Sequence, residues 1–242
     1  MLRAQRTGFI NTMFSALALA IRQLPEPEMR RPLFLSILWS LATLVVLWIL
    51  VGWGVAHGLA GMAWAQWLAG LFGALAVPFL SWILFPSVVF LVLGFFSDAI
   101  ILAVEQRYYP HLPPAPGTPM LTALISGLRL MIVGIVINLV ALVLVYWWAA
   151  WIPGLNAIVF GLVNGYLVGR QYYETVAYRR FPPGEANIVW RDHRMEFILT
   201  GAAVAALSLV PVVNLVAPMV AIAATVHLFE RFRQSFAVLA RA

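Results

Sequence analysis

Trp151-Ile152-Pro153-Gly154-Leu155-Asn156 and Leu209-Val210-Pro211-Val212-Val213-Asn214 carry one pattern: an apolar stretch, a Pro-x-x-Asn break, and a second apolar stretch. Proline removes a backbone donor and frees a carbonyl one turn earlier, so each break interrupts a helix. At membrane depth, irregular backbone survives only where protein or enclosed water satisfies it. The pattern therefore predicts two helical hairpins, over residues 121–180 and 197–236, with Pro153 and Pro211 at their tips. Paired, proline-interrupted apolar segments are also where transporters place their solute.

The surrounding composition supplies the membrane. Hydrophobic residues make up 63% of the 242 residues and charged residues only 10%, with a mean hydropathy of +0.94. Soluble domains are roughly half apolar. No Lys, Arg, Asp or Glu occurs from Pro32 through Ser97. All 15 basic residues are arginine, and nearly all lie outside the apolar segments, where they read as membrane-face anchors and not as a nucleic-acid footprint.

Working outward, residues 8–24 predict an interfacial helix, with Ile10, Phe14, Leu17, Ile21 and Leu24 opposite Asn11, Thr12, Ser15 and Gln23. Ala18-Leu19-Ala20 also matches a signal-peptidase site, and whether the segment is cleaved stays open. Residues 33–56 form a first span. Residues 64–106, interrupted by Pro78 and Pro86, form a long kinked second span. Arginine placement favours one span here over two short ones, because one span keeps the N-terminal arginines and those from Arg170 to Arg194 on a single face. Pro182-Pro183-Gly184 opens an amphipathic surface helix over 183–195.

The second hairpin's first arm is too short to cross a roughly 30 Å core. Whether the first hairpin spans is left open. The expected fold is thus an all-α integral membrane protein in one membrane domain over 1–242. It has two long transmembrane helices, two Pro/Asn-tipped hairpins partly penetrating the bilayer, and surface helices.

Asn156 and Asn214 stand where the returning helices begin, placed both as N-caps and as solute contacts. Two helix starts brought together in lipid favour an anion. Arg30 and Arg31, ahead of the first span, match a tetrahedral oxyanion at an entrance, and equally match plain positive-inside anchors. Asp98 and Arg129 are intramembrane ionisable groups at comparable depth. They read as an ion pair between helices, with Arg129 also a candidate anion contact. Asn138 is expected to bond across a helix interface. The tyrosines from Tyr166 to Tyr178 read as interface aromatics, and His57 and His227 stand isolated. With no cysteine, and no zinc, Walker or serine-hydrolase motif, neither a metal site, a cofactor site nor a catalytic constellation is expected.

Ile152-Pro153 with Asn156, the Tyr172-Tyr173-Glu174 region, and Val210-Pro211-Val212-Val213-Asn214-Leu215 with Pro218 and Ala224-Thr225 resemble the CysZ sulfate permease family, also called the etoposide-induced protein family. The resemblance covers residues 120 to 230 well and the first third loosely. It implies two long spanning helices, two half-penetrating hairpins, homo-oligomeric assembly in a bacterial inner membrane, and sulfate uptake for cysteine synthesis. It also implies a sulfate contact at a Gly-Leu-Arg turn before the first span, where this chain reads Glu28-Met29-Arg30 and keeps the arginine. A literal Gly127-Leu128-Arg129 lies instead on the first hairpin arm. The expected function is a permease or channel for a small inorganic oxyanion, sulfate foremost, with the lipid bilayer and further copies of the chain as partners. Both termini are expected on the cytoplasmic side. The alternative is a non-transporting membrane scaffold or stress-linked interaction protein of the same fold.

Overall fold

The computed structural model describes residues 14–148, 151–152 and 154–239. The start of the expected interfacial helix, residues 8–13, and the hairpin-tip Pro153 lie outside the described residues. Among the described residues every regular element is an α-helix. These are α1 (14–23), α2 (Pro27–Gly58), α3 (Ala63–Phe95), α4 (Ser97–Tyr108), α5 (Met120–Trp148), α6 (Leu155–Ala177), α7 (Pro183–Leu207), α8 (Pro211–Asn214) and α9 (Ala217–Leu239). Two of them, Pro27–Gly58 and Met120–Val145, are long and apolar enough to cross a membrane.

The chain divides into two compact units, Arg30–Phe96 and the union of Met1–Met29 with Ser97–Ala242. In the first unit, α2 has 32 residues, about 48 Å of helix and ample for a bilayer core. Its hydroxyls close on their own helix, as lipid requires: Ser36 Oγ donates to the Pro32 carbonyl at 2.7 Å and Ser40 Oγ to the Ser36 carbonyl at 2.6 Å. Trp48 Nε1 donates to Ser81 Oγ at 2.8 Å, joining α2 to α3. α3 runs as one helix past Pro78 and Pro86 and ends where Phe96 leaves helical geometry at φ −93°, ψ 2°. The charged stretch that follows, from Asp98, belongs to a separate helix, α4.

The second unit is built on the contact of α6 with α7, with α9 laid against α4, α6 and α7, and α5 against α6. Tyr173 fills its centre, with ring centroids 4.7 Å from Phe197, 5.1 Å from Trp190 and 6.0 Å from Phe229. Such aromatic contacts add to the area they bury. α6 and α7 approach at glycines: Gly165 and Gly169 face Gly201 and the backbone of Phe197 and Ile198. Pro183 opens α7 at its first turn, where a missing N–H costs nothing. His193, at φ −121° and ψ 22°, interrupts α7 between its charged N-terminal part and the apolar arm beyond it. α5 is different, because its apolar window is almost wholly exposed. Leu124, Ile135, Leu139 and Val143 face outward, a surface that lipid or another chain must cover.

Candidate functional site

Asn156, the last residue of the first Pro-x-x-Asn segment, lines a groove between α5 and α6. Asn138, Ala141, Leu142 and Val145 on α5 face Asn156, Val159, Phe160, Val163 and Asn164 on α6 across a cavity of about 250 Å³. The spacings are those of facing helical stripes. Gly154, at φ 81°, caps α6, and Asn156 sits one residue inside the helix instead of capping it. The physical reason is local: the chain reverses through a left-handed residue, and glycine adopts that conformation without strain. Asn138 Nδ2 donates to the Gly134 carbonyl at 2.8 Å and Asn164 Nδ2 to the Phe160 carbonyl at 3.0 Å. Each amide thus bonds to its own helix. Asn164 was not singled out from the sequence, although its spacing from Asn156, two turns on, was a readable signal.

In the second Pro-x-x-Asn segment, Pro211 begins the short α8 and Asn214 ends it, three residues ahead of α9. Asn214 N–H bonds the Val210 carbonyl at 2.8 Å. Its side-chain Oδ1 is buried and meets no donor among the described residues, an unsatisfied acceptor of the kind that marks a strained or ligand-facing position. Arg129 is exposed on α5. Arg30 and Arg31 are exposed in the second turn of α2, which starts at Pro27, so Glu28-Met29-Arg30 is helix and not a turn. They fall in the Arg30–Phe96 unit, whereas Asn156 and Asn214 fall in the other.

Asp98 takes a partner other than Arg129. Its Oδ1 lies 2.9 Å from Arg179 Nε, and no Asp98–Arg129 pair occurs among the described residues. Arg179 and Arg180, in the turn after α6, approach Glu105 of α4 at 3.7 and 2.9 Å. Arg180 Nε lies 3.6 Å from Glu230 of α9, which in turn accepts from Arg233 at 2.7 Å. Glu105, Arg179, Arg180 and Glu230 all have side chains less than a tenth exposed. The cluster balances Arg179, Arg180 and Arg233 against Asp98, Glu105 and Glu230. Buried charges persist only when paired in this way.

His227 is not isolated. Gln23 Nε2 at the end of α1 lies 2.7 Å from His227 Nε2, and the Tyr109 hydroxyl lies 2.9 Å from Nδ1. Burial holds the imidazole down to about 4. Burial and the charge of Glu230 push the Tyr109 hydroxyl up to about 12. A neutral ring suits this setting, since one nitrogen accepts from Gln23 while the other donates to Tyr109. The ring's folded-state pKa lies below its ordinary value of about 6.5, so the unfolded chain binds the extra proton first as pH falls. Stability should therefore decline between about pH 6.5 and 4, by roughly 3 kcal/mol at the lower end. Thermal melts in detergent across that range check it: His227→Gln should flatten the decline, and an unchanged slope would count against the assignment.

A family model described as Sulfate transporter CysZ/Etoposide-induced protein 2.4 matches residues 16–218. No curated protein and no solved structure matches the chain.

Proposed function

This chain belongs to the Sulfate transporter CysZ/Etoposide-induced protein 2.4 family, and from that premise we propose that it is a membrane permease or channel passing a small oxyanion, sulfate foremost, for sulfur assimilation. The carrying observation is the extent of the family match, which runs through Arg30, Arg31 and both Pro-x-x-Asn segments. In this reading Arg30 and Arg31 capture the anion at the entrance, because their guanidinium forks fit a tetrahedral oxyanion and are exposed to receive it. Asn156 and Asn214 supply neutral amide contacts at the two tips, and Arg129, near the opposite end of α5 from Asn156, adds positive potential at the base of the first hairpin. The arginine distribution supports an inner-membrane protein with both termini on the cytoplasmic face. The exposed α5 supports lipid contact and self-association.

Sulfate flux into proteoliposomes tests the reading. The wild-type chain should pass sulfate well above empty vesicles. Arg30→Ala should lower flux about tenfold, the equivalent of one charge-assisted contact of ~1.4 kcal/mol. Wild-type flux no higher than in empty vesicles would sink the transport reading, and flux indifferent to Arg30→Ala would remove the entrance.

A further inference from the structure

We propose that the groove between α5 and α6 is a water-filled, charge-free carboxamide track that takes a small inorganic oxyanion with part of its hydration shell retained. The identity of the ion rests on the transport reading above; the water-filled character rests on geometry alone.

Asn138 precedes the end of α5 at Trp148 by ten residues, and Asn164 follows the start of α6 at Leu155 by nine. At ~1.5 Å per residue the two amides share one level, about 14 Å from the tip, while Asn156 lies about 12 Å away near the tip itself. Beyond the upper level the helices close: a Cβ on Gly134 would stand 3.6 Å from Leu167 Cδ2, ordinary contact. Towards the tip they stay apart, and the gap is the cavity of about 250 Å³.

Asparagines on neighbouring membrane helices ordinarily bond across the interface. Here Asn138 and Asn164 bond back to Gly134 and Phe160 of their own helices, and Asn156 makes no side-chain hydrogen bond among the described residues. Asn138 and Asn164 each keep one N–H, Asn156 keeps two, and all three keep a carbonyl oxygen. Hydrocarbon satisfies none of these, and each amide left unpaired costs about 1–3 kcal/mol. Water satisfies all of them. At ~30 Å³ per molecule the groove holds roughly eight waters.

Among the described residues no charged side chain lines the groove, so it neither traps an ion nor repels it. The spare N–H groups are too few to replace the full shell of a dianion, whose desolvation is the dominant cost. The ion therefore keeps water on the sides facing Leu142, Val145, Val159 and Phe160. Such a site binds weakly and passes ions quickly.

The absence of cysteine makes the test clean. Single variants Asn138→Cys and Asn164→Cys, with Leu139→Cys and Leu162→Cys as outward-facing controls, are reconstituted into vesicles and labelled with a charged, membrane-impermeant thiol reagent. Leu139 and Leu162 are about 60% exposed and do not line the groove. Groove cysteines should react at least tenfold faster than the controls, and saturating sulfate should slow them at least twofold. As a second measurement, Asn164→Asp should cut sulfate flux at least tenfold at neutral pH. Flux in the wild type together with groove cysteines as slow as Leu139→Cys defeats this inference alone. Fast labelling that sulfate does not slow overturns the oxyanion as occupant. Reactive groove cysteines without any wild-type flux defeat the transport reading and the oxyanion with it.

Discussion

Gly201→Leu is expected to leave almost no natively folded protein, and even Gly201→Ala to lower the melting temperature by about 10 °C or more. A Cβ at position 201 would stand 2.4 Å from the Gly165 carbonyl oxygen and 2.4 Å from the Gly169 nitrogen. All the obstructing atoms are backbone, so no side chain can swing aside. The obstruction is reciprocal: a Cβ on Gly169 would meet the Phe197 carbonyl oxygen at 2.4 Å and one on Gly165 the Ile198 oxygen at 2.8 Å. Gly165-x-x-x-Gly169 on α6 and Gly201 on α7 thus form a small-residue crossing of the kind that lets membrane helices touch backbone to backbone. Forcing α6 and α7 apart opens the Tyr173, Trp190 and Phe197 cluster beside it, and loosening a packed aromatic core costs about 3–5 kcal/mol. Gly134→Ala is the control, since its nearest neighbours are the Leu167 methyls at 3.6 and 3.7 Å. It should melt within about 2 °C of the wild type. Thermal unfolding and gel filtration in detergent decide the matter, and a monodisperse Gly201→Leu melting like the parent would refute the crossing.

That crossing shows where sequence reading stops. The charge-free run from Pro32, the two Pro-x-x-Asn breaks and the Pro183 helix start are local signals, and α2, α3, α8 and α7 take their places from them. Gly165, Gly169 and Gly201 are ordinary apolar-segment glycines until the rotation of α6 against α7 is known, and no local pattern encodes that rotation. The ion pairs fail to show for a related reason. Matching Asp98 to Arg129 by depth assumes one helix continuing to residue 106. The break at Phe96 makes α4 a separate helix laid on α9, and Asp98 meets Arg179. Tyr173, expected at an interface, is fully buried because the aromatic spacing on α6 fits a core as well as it fits a headgroup layer. Gln23 and His227 are 204 positions apart, and neither has a local feature that points to the other. Asn138 and Asn156 were visible as polar residues in apolar stretches. Their shared groove with Asn164 depends on how far α5 and α6 splay, which is a property of packing.

Glu105→Gln should be far more damaging than Asp98→Asn, at about 3–5 kcal/mol, because removing one partner strands buried charge. Glu105 Oε1 accepts from Arg180 Nε at 3.0 Å and lies 2.9 Å from Nη2, while its other oxygen lies 3.7 Å from Arg179 Nη1. The neutral amide keeps the shape and removes the charge that two buried guanidinium groups share. Asp98→Asn touches the same Arg179, but its side chain is 75% exposed, and an exposed partner contributes about 0–1 kcal/mol. The ranking therefore separates buried pairing from mere charge number. A double variant, Glu105→Gln with Arg180→Gln, should recover at least half of the single loss, since it removes the stranded cation along with its partner. Simple additivity in the double variant, or a Glu105→Gln protein that melts as the wild type does, would show the cluster to be slack. The same balance bears on the proposed entrance at Arg30 and Arg31. Arg179, Arg180 and Arg233 are matched one for one by Asp98, Glu105 and Glu230, so these three arginines offer no unmatched charge to an oxyanion. Weakening it should cost stability before it alters the concentration dependence of flux, and weakening Arg30 should do the reverse.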